Sequence, residues 1–301
     1  MKRLLLAVLA VMSTGGHAFP DAIRKGYTNC GTCHYSPLGG GPQTPYGKGT
    51  APEIFPTWRG LVVDPSEHLV YGMDARRLVM TKREPFIMQE EAHLGVTAKG
   101  ATIVGTVNPE GPLGLWASYR YKGLGVRLGR FKPAYAIPYD DHTVPILGNK
   151  KNYENNNVEL ELRNRRGEIV ITRILGNSRF SYSRLLIVGR DALAGTVNLF
   201  AGKRCKGGGT IVGTAADNVR RALHIQCSYN SELYGMGEWS DQGDRFGLLG
   251  YEILTGLHVR FTSFGPESNY RIGLRWIPIP GLEATGELEK ERAFLVSHLW
   301  F

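Results

Sequence analysis

From about His68 to Phe301, apolar residues return at every second position in short runs, the signature of strands with one apolar face. In Leu113–Tyr121, Leu113, Leu115, Ala117, Tyr119 and Tyr121 share a phase, against Gly114, Trp116, Ser118 and Arg120. Val158, Leu160 and Leu162 oppose Glu159, Glu161 and Arg163. Leu249, Tyr251, Ile253, Leu257, Val259 and Phe261 oppose Glu252, His258 and Arg260. Tyr270, Ile272, Leu274 and Trp276 oppose Arg271, Gly273 and Arg275, and Leu282, Ala284 and Leu288 oppose Glu283, Thr285 and Glu287. Glu168–Leu175 and Arg179–Val188 alternate less cleanly but still read as strands. Pro109-Glu110-Gly111, Asp241-Gln242-Gly243-Asp244, Gly265-Pro266 and Pro280-Gly281 punctuate the runs.

At about 14–15 residues per strand and turn, residues 66–301 hold roughly 16 strands. The expected fold is all-β, a transmembrane antiparallel β-barrel of about 16 strands. A soluble periplasmic sandwich or solenoid would also alternate. The barrel is favoured by strands near ten residues and by aromatic residues near strand ends (Trp116, Tyr119, Tyr121, Trp239, Tyr251, Tyr270, Trp276). Beyond its N-terminus the chain has no apolar run of membrane-helix length. The last strand ends on Phe301 with Leu299 and Leu295 in phase, which resembles the C-terminal signature of bacterial outer-membrane proteins and departs from it at Ser297. One excursion, Lys132–Asn156, carries three prolines and Asp140-Asp141-His142-Thr143, and it reads as a long loop.

The N-terminus follows other rules. Lys2 and Arg3 precede the apolar run Leu4–Met12, and Gly16-His17-Ala18 suits cleavage, so residues 1–18 read as a signal peptide. Residues 19–65 are rich in Gly and Pro and read as turns with no helical period. They contain Cys30-Gly31-Thr32-Cys33-His34, the C-x-x-C-H pattern of c-type haem attachment. Two thiols three positions apart can each take one haem vinyl group, and His34 then reaches the iron as proximal ligand. A zinc site or redox dithiol is the alternative, but no second Cys or His pair is near in sequence and no βαβ unit surrounds the motif. A segment this small cannot enclose a haem alone, so residues 66–301 should shield a haem-bearing plug.

Together these features resemble the fused monohaem cytochrome–porins of the outer membrane, the family that includes the iron(II) oxidases of iron-oxidising bacteria. The resemblance rests on Cys30, Cys33 and His34, the Gly/Pro linker and the barrel pattern. It implies a haem plug inside the barrel, one covalent haem c, an iron(II)-like extracellular redox partner and a periplasmic electron carrier. The expected function is electron transfer across the outer membrane. The alternative is a diffusion porin whose haem plug is structural or a gate, and a periplasmic haem sensor or peroxidase is a third.

For the sixth iron position, His93, His224, His258, His298 and Met236 lie in the polar phase of their strands and His142 lies in the long loop. His142 ranks first, with an open or water-bound iron as its rival. Cys205 and Cys227 stand almost opposite on two strands if the intervening turn centres on Ala216 and Asp217. Both would point to lipid, and an oxidising compartment favours their disulfide over two buried thiols. The formal net charge is +9, which suits contact with outer-membrane lipid, an acidic carrier or haem propionates. Nucleic acid is not an expected partner.

Overall fold

The computed structural model describes residues 20–27, 30–36, 41–58, 67–131, 155–163, 167–174, 192–200, 204–213, 219–265 and 269–300. The signal-peptide reading, the run Arg179–Val188 and loop residue His142 lie outside them. Among the described residues sixteen antiparallel strands close a barrel, each paired with its neighbours in sequence and the last with the first. They are β1 (Leu69–Met80), β2 (Arg83–Ala98), β3 (Ala101–Asn108), β4 (Gly111–Tyr121), β5 (Leu124–Phe131), β6 (Asn155–Arg163), β7 (Gly167–Ile174) and β8 (Ala192–Phe200). The second half is β9 (Cys205–Gly213), β10 (Arg220–Ser228), β11 (Leu233–Ser240), β12 (Arg245–Leu254), β13 (Leu257–Phe264), β14 (Asn269–Trp276), β15 (Leu282–Glu289) and β16 (Arg292–Trp300).

The alternation read from the sequence is the in–out alternation of the barrel. Leu115, Leu160, Ile171, Leu223, Leu249 and Ile272 point outward and stay exposed. An uncovered apolar belt of this extent needs an apolar solvent, and each such side chain gains about 1.5–3 kcal/mol when lipid replaces water. Among the described residues no helix is long and apolar enough to cross a membrane. Outward aromatics border the belt at both ends: Tyr119, Tyr121, Tyr251 and Trp276 at one mouth, Trp239 and Tyr270 at the other. Trp116 does not belong to them. It takes the polar phase of β4 and is buried in the lumen against Arg127 and Tyr35.

The inward faces are charged and paired. Arg127 meets Glu159 at 2.8 Å, and Thr172 donates to the same carboxylate at 3.0 Å. Arg275 forks onto Glu283 at 2.8 and 2.9 Å. Arg271 reaches Glu287 and Glu289 while lying over Phe264 and Phe294. Burying such charges is tolerated only with partners of this kind. Tyr234, Met236, Phe246, Leu248 and Phe264 form an apolar cluster on the same inner surface. Asn157, Thr172 and His258 are 0% exposed, so the lumen around them is filled rather than open water.

Candidate functional site

The described residues between 20 and 58 lie at one mouth of the barrel. That mouth holds the start of β1, the end of β16 and the tight turns 99–100, 122–123 and 255–256. The longest connections, 132–154 and 175–191, join strands at the opposite mouth.

The segment enters as a short helix, α1 (Pro20–Arg24), packed against β10 and β11 with Ala22 and Ile23 buried. Arg24 closes it, donating to Glu252 of β12 through both terminal nitrogens, with Nη2 at 2.7 Å from Oε1. Nη1 also donates to the Ser231 carbonyl at 3.0 Å. Glu252 in turn accepts from the Gly256 amide at 3.0 Å. His258 stands 4.0 Å from it and 3.3 Å from the Tyr234 hydroxyl.

The chain then crosses the mouth to the C-x-x-C-H turn. Cys30–Thr32 form one 3-10 turn, closed by Cys33 N–H and His34 N–H donating to the Cys30 carbonyl at 3.1 and 3.0 Å. Both thiols and the imidazole therefore leave a single turn of backbone. Cys30 and His34 are buried, and Cys33 is half-buried. From β4, Arg120 donates to the His34 carbonyl at 3.3 Å and to the Tyr35 carbonyl at 2.6 Å, and Glu161 of β6 holds its Nε at 3.0 Å. Tyr35 belongs to a buried cluster with Val70, Val104, Trp116 and Phe131, its ring 6.2 Å from that of Trp116. The turn thus rests on the β1–β5 wall.

A second helix, α2 (Pro45–Ile54), follows. The turn-only reading of this segment is corrected here. Thr44 caps it by accepting from the Gly47 amide at 3.1 Å, and Pro45 opens it, the side-chain cap and N1 proline that start helices. The helix lies directly on the C-x-x-C-H turn: a β-carbon at Gly47 would sit 2.3 Å from the Cys33 carbonyl oxygen. Thr44 also donates to the Thr32 carbonyl at 2.9 Å. Lys48 is buried and donates to the Tyr71 carbonyl of β1. Burial lowers its pKa to about 7.

The segment leaves over the mouth. Thr57 and Trp58 amides donate to the Ile277 and Pro278 carbonyls at 2.8 Å each, and Thr57 Oγ1 donates to Thr255 at 2.7 Å. Gly256 has φ +80°, and a β-carbon there would come within 2.7 Å of the Thr57 amide, so only glycine permits this approach.

The donor set can be tested against the chemistry the motif implies. Cys30 and Cys33 are both thiols, while Cys205 and Cys227 are joined in a disulfide. Burial, then the neighbouring Cys30, pushes the Cys33 thiol up to about 11. Among the described residues no three His, Cys, Asp or Glu side chains converge on a metal-ion site, so the zinc donor set is not assembled there. Two thiols and an imidazole on one turn, beside lumen-facing arginines, fit a covalent haem: Cys30 and Cys33 would hold it and His34 would be its proximal ligand.

The other candidate residues are dispersed. His93, His224, His258 and His298 lie on β2, β10, β13 and β16, and Met236 is committed to the apolar cluster on β11–β13. Cys205 and Cys227 are directly opposed across β9 and β10, with Cα atoms 4.2 Å apart, in the outward phase of Ile211 and Ile225. The turn position assumed from the sequence placed them one residue out of register. Glu252, Arg120 and Gly256, which seat the segment, were not singled out as site residues. Their signal is two-body, since nothing beside them in sequence names the partner.

No protein family matches the sequence, and no curated protein matches it. The fold has solved counterparts. A triple mutant of the Rhodopseudomonas blastica porin superposes with TM-score 0.57 at 12% identity, over 77% of this chain and 99% of that one. A second variant of the same porin gives 0.56 at 11%, over 77% and 100%. A structure described as "Asymmetric conductivity of engineered proteins" gives 0.56 at 12%, over 77% and 99%. The chain therefore has the porin fold, a β-barrel of outer-membrane type.

Proposed function

We propose that this protein is an outer-membrane barrel of porin type, stoppered at its periplasmic mouth by its own N-terminal segment. We further propose that the segment bears one covalent haem c, through which electrons pass between a periplasmic carrier and an extracellular redox partner such as iron(II). The observation that carries the reading is the seating of Cys30, Cys33 and His34 on one turn inside the mouth. Short turns and long loops mark the two faces of such barrels, which supports a periplasmic position for the stoppered mouth.

The residues divide the work. Cys30 and Cys33 would fix the macrocycle, and His34 would bind the iron. Arg120, itself held by Glu161, donates to the backbone carbonyl of His34 and so anchors the backbone that carries the imidazole. The β1–β5 wall excludes water from one side of the turn. When bound, the haem supplies a one-electron centre that an ordinary porin lacks. Tyr46 and Trp58 are more than half exposed at the mouth, an aromatic surface of the kind partner proteins use. On this reading the protein is an electron-transfer protein with iron(II) oxidase-like activity when iron(II) is the donor.

A second reading has its own support. The porin fold and the ion-paired inner wall suit a diffusion channel in which the plug is a gate. Proteoliposomes separate the two. An impermeant reductant outside, with iron(II) among the donors tried, should reduce ferricyanide enclosed within. Failure with every one-electron donor, together with ion flux that rises when the plug is loosened, would leave the gated porin.

A further inference from the structure

We propose that His93 is the second axial ligand of the haem. The inference rests on the haem reading above and names the residue on the iron's other face. The C-x-x-C-H turn is seated on the β1–β5 wall. Tyr35 joins one buried cluster with Val70 of β1, Val104 of β3, Trp116 of β4 and Phe131 of β5, its ring 6.2 Å from that of Trp116, and Thr97 of β2 and Thr102 of β3 stand beside its hydroxyl. His93 is two inward-facing positions deeper than Thr97 on the same strand, about 13 Å along it at about 3.3 Å per residue. Gly95 between them carries no side chain, and neither does Gly72, which opposes His93 on β1. Lys48, one helical residue beyond the glycine that touches Cys33, reaches the Tyr71 carbonyl next to that Gly72. Lys48 thus brings the plug's helix to the glycine-lined patch of wall that carries His93.

The imidazole is set up to ligate. Its Nδ1 lies 2.9 Å from Thr106 Oγ1. A proton on Nδ1 donated to Thr106 fixes the ring and leaves the lone pair on Nε2, the arrangement found for metal-bound histidines. Glu91 stands 3.9 Å from Nε2. The other described lumen histidines are placed elsewhere. His224 is on β10, eight strands from β2 in a ring of sixteen. His258 is held by Tyr234 and Glu252, and His298 lies between Asp74 at 3.1 Å and Glu283 at 3.9 Å.

The test is spectroscopic, on the full chain purified in detergent. Haem staining of a denaturing gel comes first, and mobility of unheated samples reports barrel folding. Wild type should show a low-spin haem spectrum. His93→Ala and His93→Asn should keep the stain and the folded mobility, lose the low-spin bands and regain them with added imidazole. Low-spin bands that survive both substitutions, a high-spin wild type, or loss of the low-spin bands in His142→Ala instead would overturn the assignment. Absence of stain in wild type would overturn the haem reading and this inference with it. A stained protein with unchanged spectra would overturn the inference alone.

Discussion

Arg24 and Glu252, 228 residues apart in the chain, meet inside the barrel mouth with Arg24 Nη2 at 2.7 Å from Glu252 Oε1, and both side chains are buried. The pair joins α1 to the mouth end of β12. Removing one partner leaves the other charge buried alone, which costs about 3–5 kcal/mol. Glu252→Ala is expected to unseat α1 without opening the barrel. Limited proteolysis should cut the N-terminal segment faster in the variant, and planar-bilayer conductance should rise. Identical cleavage and conductance would show that the pair does not hold the plug.

Lys48 gives the plug a pH dependence. Its pKa falls from 10.5 unfolded to about 7 when seated, because burial disfavours the ammonium. Between those values the unseated chain binds more protons, so seating strengthens as pH rises through this window and is weakest below about 7. Proteolytic protection of residues 20–58 should increase from pH 7 to pH 9. Lys48→Met should flatten that dependence. A wild-type profile that falls with pH would contradict the assignment.

Arg120 ties the turn to the wall through the His34 and Tyr35 carbonyls. Arg120→Ala should leave the haem stain intact and shift its reduction potential, with Glu161→Gln giving a smaller shift in the same direction. Lysine at 120, a cation without the planar fork, should restore the potential only in part. Potentials equal to wild type in all three would remove Arg120 from the site.

The Cys205–Cys227 disulfide closes a hairpin on the lipid side, away from the lumen. Chain-entropy arguments give it about 3 kcal/mol of stability. A Cys205→Ser, Cys227→Ser double variant should unfold at lower denaturant on heat-modifiability gels while keeping haem stain and spectrum. A changed haem spectrum would connect this bond to the site, contrary to the structure.

The barrel was legible because each strand is a two-sided object: Leu249, Tyr251 and Phe261 against Glu252, His258 and Arg260 is a pattern that needs no partner to be seen. That Cys30, Cys33 and His34 share one turn was legible because the motif is contiguous in five letters. What was not legible is contact across the lumen. Trp116 reads as a girdle aromatic by type, yet its phase puts it inside against Tyr35. Helix α2 hides behind Gly47, Gly49 and Pro52, which argue for turns. Only the Thr44-Pro45 start betrays it, and its stability comes from lying on the Cys33 carbonyl and the β1 wall.

The most direct test of the account is a haem stain of a denaturing gel, run on outer-membrane fractions with wild type beside a Cys30→Ala, Cys33→Ala double variant. The account predicts a stained band at the mass of the full barrel in wild type and none in the double variant, with equal protein in both. No stain in wild type, or a band that survives loss of both cysteines, would contradict it.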